Sequence, residues 1–261
     1  MDLDPRLTAL RDLGGFFVLR AAEEAGRRLP TLDQAYGPRR PDVQGAPLTD
    51  PLTDPLPGPL TEPLTDPLAV RVRRVGAALR APEPRVAASV AHQGLAARLW
   101  SVALGCATLY GAVPDLHPEA MRWDPEGSAP DDLWLTEVRP LPGDAATLAE
   151  VVLHGHLEPL AAALRARHRL APGLLRGNAA SALAASAREL VRHARPDVAS
   201  RAARLSRELL AHPLLTGSGT LTGTAFRRRS CCLYYRVPGG GVCGDCCFVR
   251  PPRSSPRARS G

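Results

Sequence analysis

The strongest hydrophobic patterning lies between residues 83 and 212. Glu83 to Leu99 reads EPRVAASVAHQGLAARL, with Val86, Val90 and Ala97 among its apolar positions, and Trp100 to Tyr110 continues as a second apolar segment containing Gly105. Both predict buried helices of the main core. Ala145 to His168 is predicted helical with a break near Gly155, and Leu174 to His193 follows as an amphipathic helix. Pro196 stops that helix, and Asp197 is the expected cap of a last helix ending near His212. Between Pro114 and Pro142 the chain turns rich in Pro, Asp and Trp, and the alternation LWLTEV at Leu133 to Val138 predicts a strand in a small sheet or hairpin.

Ahead of this body, residues 3–28 read as one or two short helices, with Leu3, Leu7, Leu10 and Phe17 available for docking. From Pro47 to Pro67 proline recurs at every fourth position in PLTDPLTDPLPGPLTEPLTDP. Each proline removes a donor and restricts its neighbour, so neither helix nor sheet is expected there. An extended linker is. The resulting organisation is an N-terminal helical segment at 1–40, a Pro-rich linker at 41–69, a helical body at 70–215, a cysteine module at 216–250 and a basic, disordered tail at 251–261. The fold class is mainly α with a smaller β component.

Composition adds three constraints. Aromatics make up only 4% of residues against 44% hydrophobic, and that bias toward Ala and Leu favours helices. The formal charge of +7 comes entirely from Arg, since no Lys occurs, but the Arg are scattered among acids and carry no recognition motif. Nucleic acid is therefore not an expected partner. No run approaches the apolar length of a membrane span, and the acidic start MDLDPRLTALRDLGG is unlike a signal peptide, so a cytoplasmic location is expected.

In that compartment thiols stay reduced, and five cysteines between Cys231 and Cys247 point to metal or redox chemistry rather than disulfides. Cys106, within VALGCATLY, is expected to be a core thiol. The module reads RRRSCCLYYRVPGGGVCGDCC: a vicinal pair, ten residues, and a Cys-x-x-Cys turn. Thiolates select zinc, copper(I) or iron-sulfur clusters. In the turn, Gly244 is expected to relax the backbone. Adjacent side chains in an extended chain point to opposite faces, so aiming Cys231 and Cys232 at one small ion requires a distorted backbone. A two-iron cluster spreads its ligand positions more widely, while zinc stays open as the alternative. Cys247 is a fifth thiol beside the four that a 2Fe-2S centre needs, and the two-residue gap favours Cys246 over it. Arg227, Arg228, Arg229 and Arg236 flank the first pair, where they would raise a cluster's potential, attract an anionic iron chelate, or simply face solvent.

The combination of Arg before the pair, Tyr235-Arg236-x-Pro238 and Cys243-Gly-Asp-Cys246 resembles the C-terminal signature of FhuF-like ferric-siderophore reductases. A weaker likeness runs upstream through Ala96 to Trp100 and the GNAAS stretch Gly177 to Ser181, covering about Pro84 to Val249. The resemblance implies a 2Fe-2S cluster on Cys231, Cys232, Cys243 and Cys246 that passes one electron to the iron of a ferric siderophore. It also implies a helical body with the cluster module at its end, an electron donor, and transient contact with a siderophore importer at the inner face of the membrane. The Pro-Leu-Thr-Asp linker and Cys247 depart from the pattern. Two other readings remain beside it: a structural zinc module that binds a partner, and a 2Fe-2S carrier or sensor that does not act on siderophores.

Elsewhere no nucleophile elbow or phosphate loop occurs. His154 and His156 lie two apart on a predicted helix and point in different directions, so solvent-facing or capping roles are expected rather than a shared metal. Asn178 is expected to satisfy a buried backbone group, and Asp131 and Asp132 to begin an element.

Overall fold

The computed structural model describes residues 7–21, 29–37 and 66–252. Most of the expected Pro-rich linker and of the basic tail lie outside these residues, as does the beginning of the N-terminal segment.

A single helix, α3 (Pro84–Tyr110), organises the body. It takes in both apolar segments read from the sequence, running through Leu99 and Trp100 without a break. Val86, Ala88, Ala96, Leu99, Trp100, Leu104 and Cys106 are all fully buried, and burial on every side marks a central helix. Packed against it are α2 (Pro67–Leu79), α6 (Pro172–His193) and α7 (Pro196–Leu210). In α7 the buried Val198, Ala202, Leu205 and Leu209 form one stripe at helical spacing. Asp197 is not its cap: Arg195 holds that position, and Asp197 sits in the first turn, ion-paired with Arg195 at 3.4 Å.

The start of α2 corrects the boundary of the linker. Asp66 caps the helix by accepting from the N–H groups of Leu68 and Ala69 at 3.0 and 3.1 Å, with Pro67 at the first helical position. The last proline of the period-four run thus begins a helix whose Leu68 and Val72, one turn apart, are buried.

The Ala145–His168 region is helical throughout: α4 (Ala145–Leu148), a π-helical stretch (Ala149–Leu157) and α5 (Glu158–Arg167). Gly155 lies in the π stretch and does not break it. Pro159 lies in the first turn of α5, two residues after that stretch.

The N-terminal segment departs from its helical expectation. It forms a 3-10 turn (Thr8–Leu13), then β1 (Arg20–Ala21), which pairs in parallel with β4 (Leu133–Leu135), and later a short helix, α1 (Leu32–Tyr36). Strand β3 (Met121–Trp123) lies antiparallel on the other side of β4, and β2 (Ala112–Pro114) pairs with β5 (Pro140–Pro142). A buried Arg98, 2% exposed, fastens this segment to α3. Its Nε donates to Asp132 at 2.8 Å, Nη2 to the Val18 carbonyl at 2.8 Å, and Nη1 to the carbonyl of Phe16. Asp132, 1% exposed, does precede β4 as expected, and it is also the counter-charge of a buried guanidinium.

After α7 the chain forms a hairpin of β6 (Gly219–Thr222) and β7 (Ala225–Arg228), then the cysteine loop.

Candidate iron-sulfur module

Alternation along β7 and its continuation sorts the three consecutive arginines. Arg227 and Arg229 face solvent, whereas Arg228 points inward and is 2% exposed. Inside, its guanidinium donates to Asn178 Oδ1 at 2.6 Å, to the Ser230 and Leu174 carbonyls at 3.1 and 3.2 Å, and to Gln93 Oε1 at 3.3 Å. These acceptors are all neutral. Asn178 in turn donates to the Ser89 carbonyl at 2.9 Å, and Ser89 Oγ donates to the Cys232 carbonyl at 2.8 Å. A continuous buried chain of hydrogen bonds therefore runs from β7 through α6 and α3 to the vicinal cysteine pair. Asn178 has the structural role expected of it.

The Cys-x-x-Cys turn is seated separately. Asp245, 7% exposed, accepts from Ser181 Oγ at 2.6 Å, pairs with Arg188 at 3.3 Å, and accepts from the Arg228 N–H through its carbonyl at 2.9 Å. Ser89, Ser181 and Asp245 were not expected as seating residues. Only Asp245, polar and enclosed between two cysteines, gave a local hint; the serines are placed by contacts distant in sequence. Gly244 is not what relaxes the turn, since its φ is ordinary and an added Cβ would meet nothing. The glycine requirement lies in the spacer, where Gly239 has a φ of 72° and a Cβ on Gly240 would lie 2.8 Å from the Tyr234 carbonyl.

The distortion expected at the vicinal pair falls on the next residue. Leu233 has a φ of 69°, a left-handed conformation that costs a branched side chain about 1 kcal/mol. With this kink the pair reaches the first sulfur of the turn. Cys232 Sγ lies 3.5 Å from Cys243 Sγ. Backbone N–H groups complete the sulfur environment: Leu233 donates to Cys231 Sγ at 3.2 Å and Phe248 to Cys246 Sγ at 3.4 Å.

Sharing a proton with Cys243 holds the Cys232 thiol down to about 6, and Arg228 adds to that effect. Cys243 is raised in consequence. Burial pushes Cys231 up to about 11. Cys232 is buried and the other four thiols of the group are half-buried, so the sulfurs sit at the edge of the protein. Cys106 is fully buried in α3, as expected, with its thiol pushed upward by burial.

Arg236 is not available in the way its position suggests. It is ion-paired with Glu83 and lies over the Tyr235 ring at 5.6 Å, joining the loop to the start of α3. Of the four flanking arginines, Arg228 is buried and Arg236 is paired; Arg227 and Arg229 present charge to solvent. Arg227 also reaches the Cys247 carbonyl at 3.4 Å.

His154 and His156 do not converge. His154 is exposed and 2.5 Å from Glu158, but His156 is fully buried, against expectation. Its Nε2 lies 2.6 Å from the Leu116 carbonyl and must donate to it, which leaves Nδ1 to accept from the Tyr36 hydroxyl at 2.9 Å. That ring joins the π stretch to α1.

Among the described residues no three His, Cys, Asp or Glu side chains converge as a site for a single metal ion, and no helix is long and apolar enough to cross a membrane. One sulfur pair, Cys232 with Cys243, joins the vicinal cysteines to the Cys-x-x-Cys turn. An all-thiol donor set with N–H groups directed at sulfur fits an iron-sulfur cluster. None of the curated proteins matches the chain. Residues 228–248, from the buried Arg228 through all five grouped thiols, match the FhuF 2Fe-2S C-terminal domain, which points to a 2Fe-2S cofactor and supports an FhuF-like assignment.

Proposed function

We propose that the protein is a cytoplasmic ferric-siderophore reductase whose cluster is held by Cys231, Cys232, Cys243 and Cys246. The observation that carries this reading is the placement of the thiols at the protein's edge in a segment that matches the FhuF cluster domain. A 2Fe-2S cluster bound there supplies one electron to chelated Fe(III).

The chain's own residues prepare that transfer. The Leu233 and Phe248 N–H groups stabilise negative charge on Cys231 and Cys246. Arg228 holds a buried positive charge near Cys232 and Cys247. Arg227 and Arg229 offer an exposed cationic face to an anionic chelate. Siderophore oxygens are hard ligands that favour Fe(III), so one electron loosens the iron without a general acid or base. The reading requires an electron donor, and contact with an importer would bring the protein to the inner face of the membrane.

The test is anaerobic. Reduced protein is mixed with a ferric siderophore in the presence of a ferrous-specific chelator, and the absorption of the oxidised cluster is followed. Its return together with about one Fe(II) per reduced cluster is expected. Reduced protein that ferric chelates do not reoxidise would be a carrier or sensor instead. Colourless, zinc-containing protein that resists iron-sulfide reconstitution would leave the zinc-module reading.

A further inference from the structure

We infer that the outer face of the cysteine module is the docking site of an acidic one-electron carrier protein, the donor that the proposed reaction requires. The inference rests on the cluster assignment above but not on siderophore reduction.

The thiols are open to a partner on one side. Inward, the module is seated on α3 and α6 through Ser89, Asn178 and Ser181. Outward, four of the five grouped thiols are half-buried. Electron transfer weakens steeply with distance, so a protein donor has to approach across the module's own surface.

That surface is unusually apolar. Among the described residues the exposed large hydrophobic side chains are Phe16, Val242, Phe248 and Val249, and the last three belong to the module. They border the thiols. Val242 precedes Cys243, and the Phe248 N–H donates to Cys246 Sγ at 3.4 Å while its ring stands edge-on to Tyr235 at 6.0 Å. Apolar side chains gathered in one place mark an interaction surface.

The charge of the face names the partner. Between Ala225 and Pro252 the only acid is Asp245, and its carboxylate is buried and paired with Arg188. Arg227, Arg229 and Arg250 are exposed, and Arg227 reaches the Cys247 carbonyl at 3.4 Å, which sets a cation at the rim of the thiol group. An apolar centre with a cationic rim is complementary to an acidic protein, and opposite charge speeds the encounter of two redox proteins. On docking, one electron leaves the carrier, which is oxidised, and enters the cluster, which is reduced; no bond or proton moves. Arg227 and Arg229 also face the anionic chelate, so donor and chelate use this face in turn.

The test mixes oxidised holoprotein anaerobically with reduced flavodoxin, an acidic one-electron carrier, in a stopped-flow instrument. The second-order rate of cluster reduction should fall about tenfold as salt rises from about 0.01 M to about 0.15 M, since the Debye length shrinks from about 30 Å to about 8 Å. The double variant Arg227→Glu with Arg229→Glu should react about tenfold more slowly at low salt and lose the salt dependence. Val249 is 78% exposed, so Val249→Glu leaves the fold intact and should slow the reaction about fivefold. Binding of oxidised flavodoxin, read by calorimetric titration, should weaken in the same order, and it answers the question even where electron transfer is slow. Rates and affinities equal in wild type and variants would overturn the inference. So would variants that leave flavodoxin unaffected but abolish flotation with phosphatidylserine vesicles, or that dissociate a dimer of this chain, because the face would then have another occupant. No siderophore enters these measurements, so failure of the reductase reading is distinguishable from failure of this one.

Discussion

The two halves of α3 each receive a peripheral segment through a buried arginine, but the two arginines are balanced differently. At Arg98 the charge meets Asp132 at 2.8 Å, with Arg71 also 3.5 Å from that carboxylate. The N-terminal segment is thereby fastened by a neutralised pair. At Arg228 the hydrogen-bond acceptors are the Asn178 and Gln93 side chains and the Ser230 and Leu174 carbonyls, all uncharged. Its charge is left to act on the neighbouring sulfurs. A buried guanidinium can thus be a fastener whose field is closed locally, or one whose field reaches a site that binds anionic sulfur.

The sharpest way to break the comparison is to remove each arginine. Arg98→Met leaves the buried Asp132 carboxylate with only the longer Arg71 contact at 3.5 Å, and should cost about 3 kcal/mol in denaturant unfolding. Arg228→Met orphans only neutral acceptors and should cost about 2 kcal/mol. It should also move the cluster's reduction potential to a more negative value, a shift that Arg98→Met does not produce. Arg228→Lys should keep much of that potential while losing stability, because an ammonium cannot reproduce the forked contacts. Potentiometric titration of the three variants checks this.

A smaller effect is expected from added methyl groups. A Cβ on Gly177 would lie 2.9 Å from Arg228 Nη2 and against Ser230 Oγ, in a network already fully used. Gly177→Ala should cost about 2 kcal/mol and weaken cluster retention. On Gly105 the Cβ would lie 2.8 Å from Leu10 Cδ2 and 2.9 Å from Phe17 Cδ1, the ends of flexible side chains. Gly105→Ala should cost about 1 kcal/mol, loosen the N-terminal segment to proteolysis and leave iron content unchanged.

The smallest effect concerns acid. Burial holds His92 down to about 3, with Arg228 contributing, and His156 down to about 4. Both are bound neutral in the fold. Their contribution to stability is complete above about pH 6.5 and is lost as pH falls toward 4 and 3, with a loss of about 1 kcal/mol each near pH 5.5. Unfolding measured from pH 7.5 to 4.5 should follow that slope. Arg228→Met should raise the His92 transition and leave that of His156 in place, which nuclear magnetic resonance titration would resolve.

The thiol group itself was readable in the sequence because its cysteines are local. Cys231 to Cys247 fall within one short span, and thiol chemistry limits what such a span can hold. The seats were not readable: Ser89, Asn178 and Ser181 reach the module only across the fold, and an isolated serine in an Ala-rich helix carries no signature. Strong apolar runs located α3, α6 and α7, but the segments read as separate at 83–99 and 100–110 form one helix, sustained by burial on all sides. The N-terminal strand β1 has no signature in the sequence because two residues have no period of their own and exist as a strand only beside β4. Asp66 and Pro67 were hidden for the opposite reason, since a capping pair looks the same as one more unit of a Pro-Leu-Thr-Asp repeat.

The hydrogen bond between Ser89 and Cys232 spans 143 positions of sequence, and the direction of that span matters during synthesis. Ser89, Gly173, Asn178 and Ser181, which together seat the module, all emerge from the ribosome before its first cysteine. Contacts among α3 and α6 can form while the thiols are still being translated. Closing the long loop then brings a short, irregular segment onto a finished surface, at an entropic cost that grows only slowly with loop length. The surface that seats the cysteines is thus encoded entirely upstream of them.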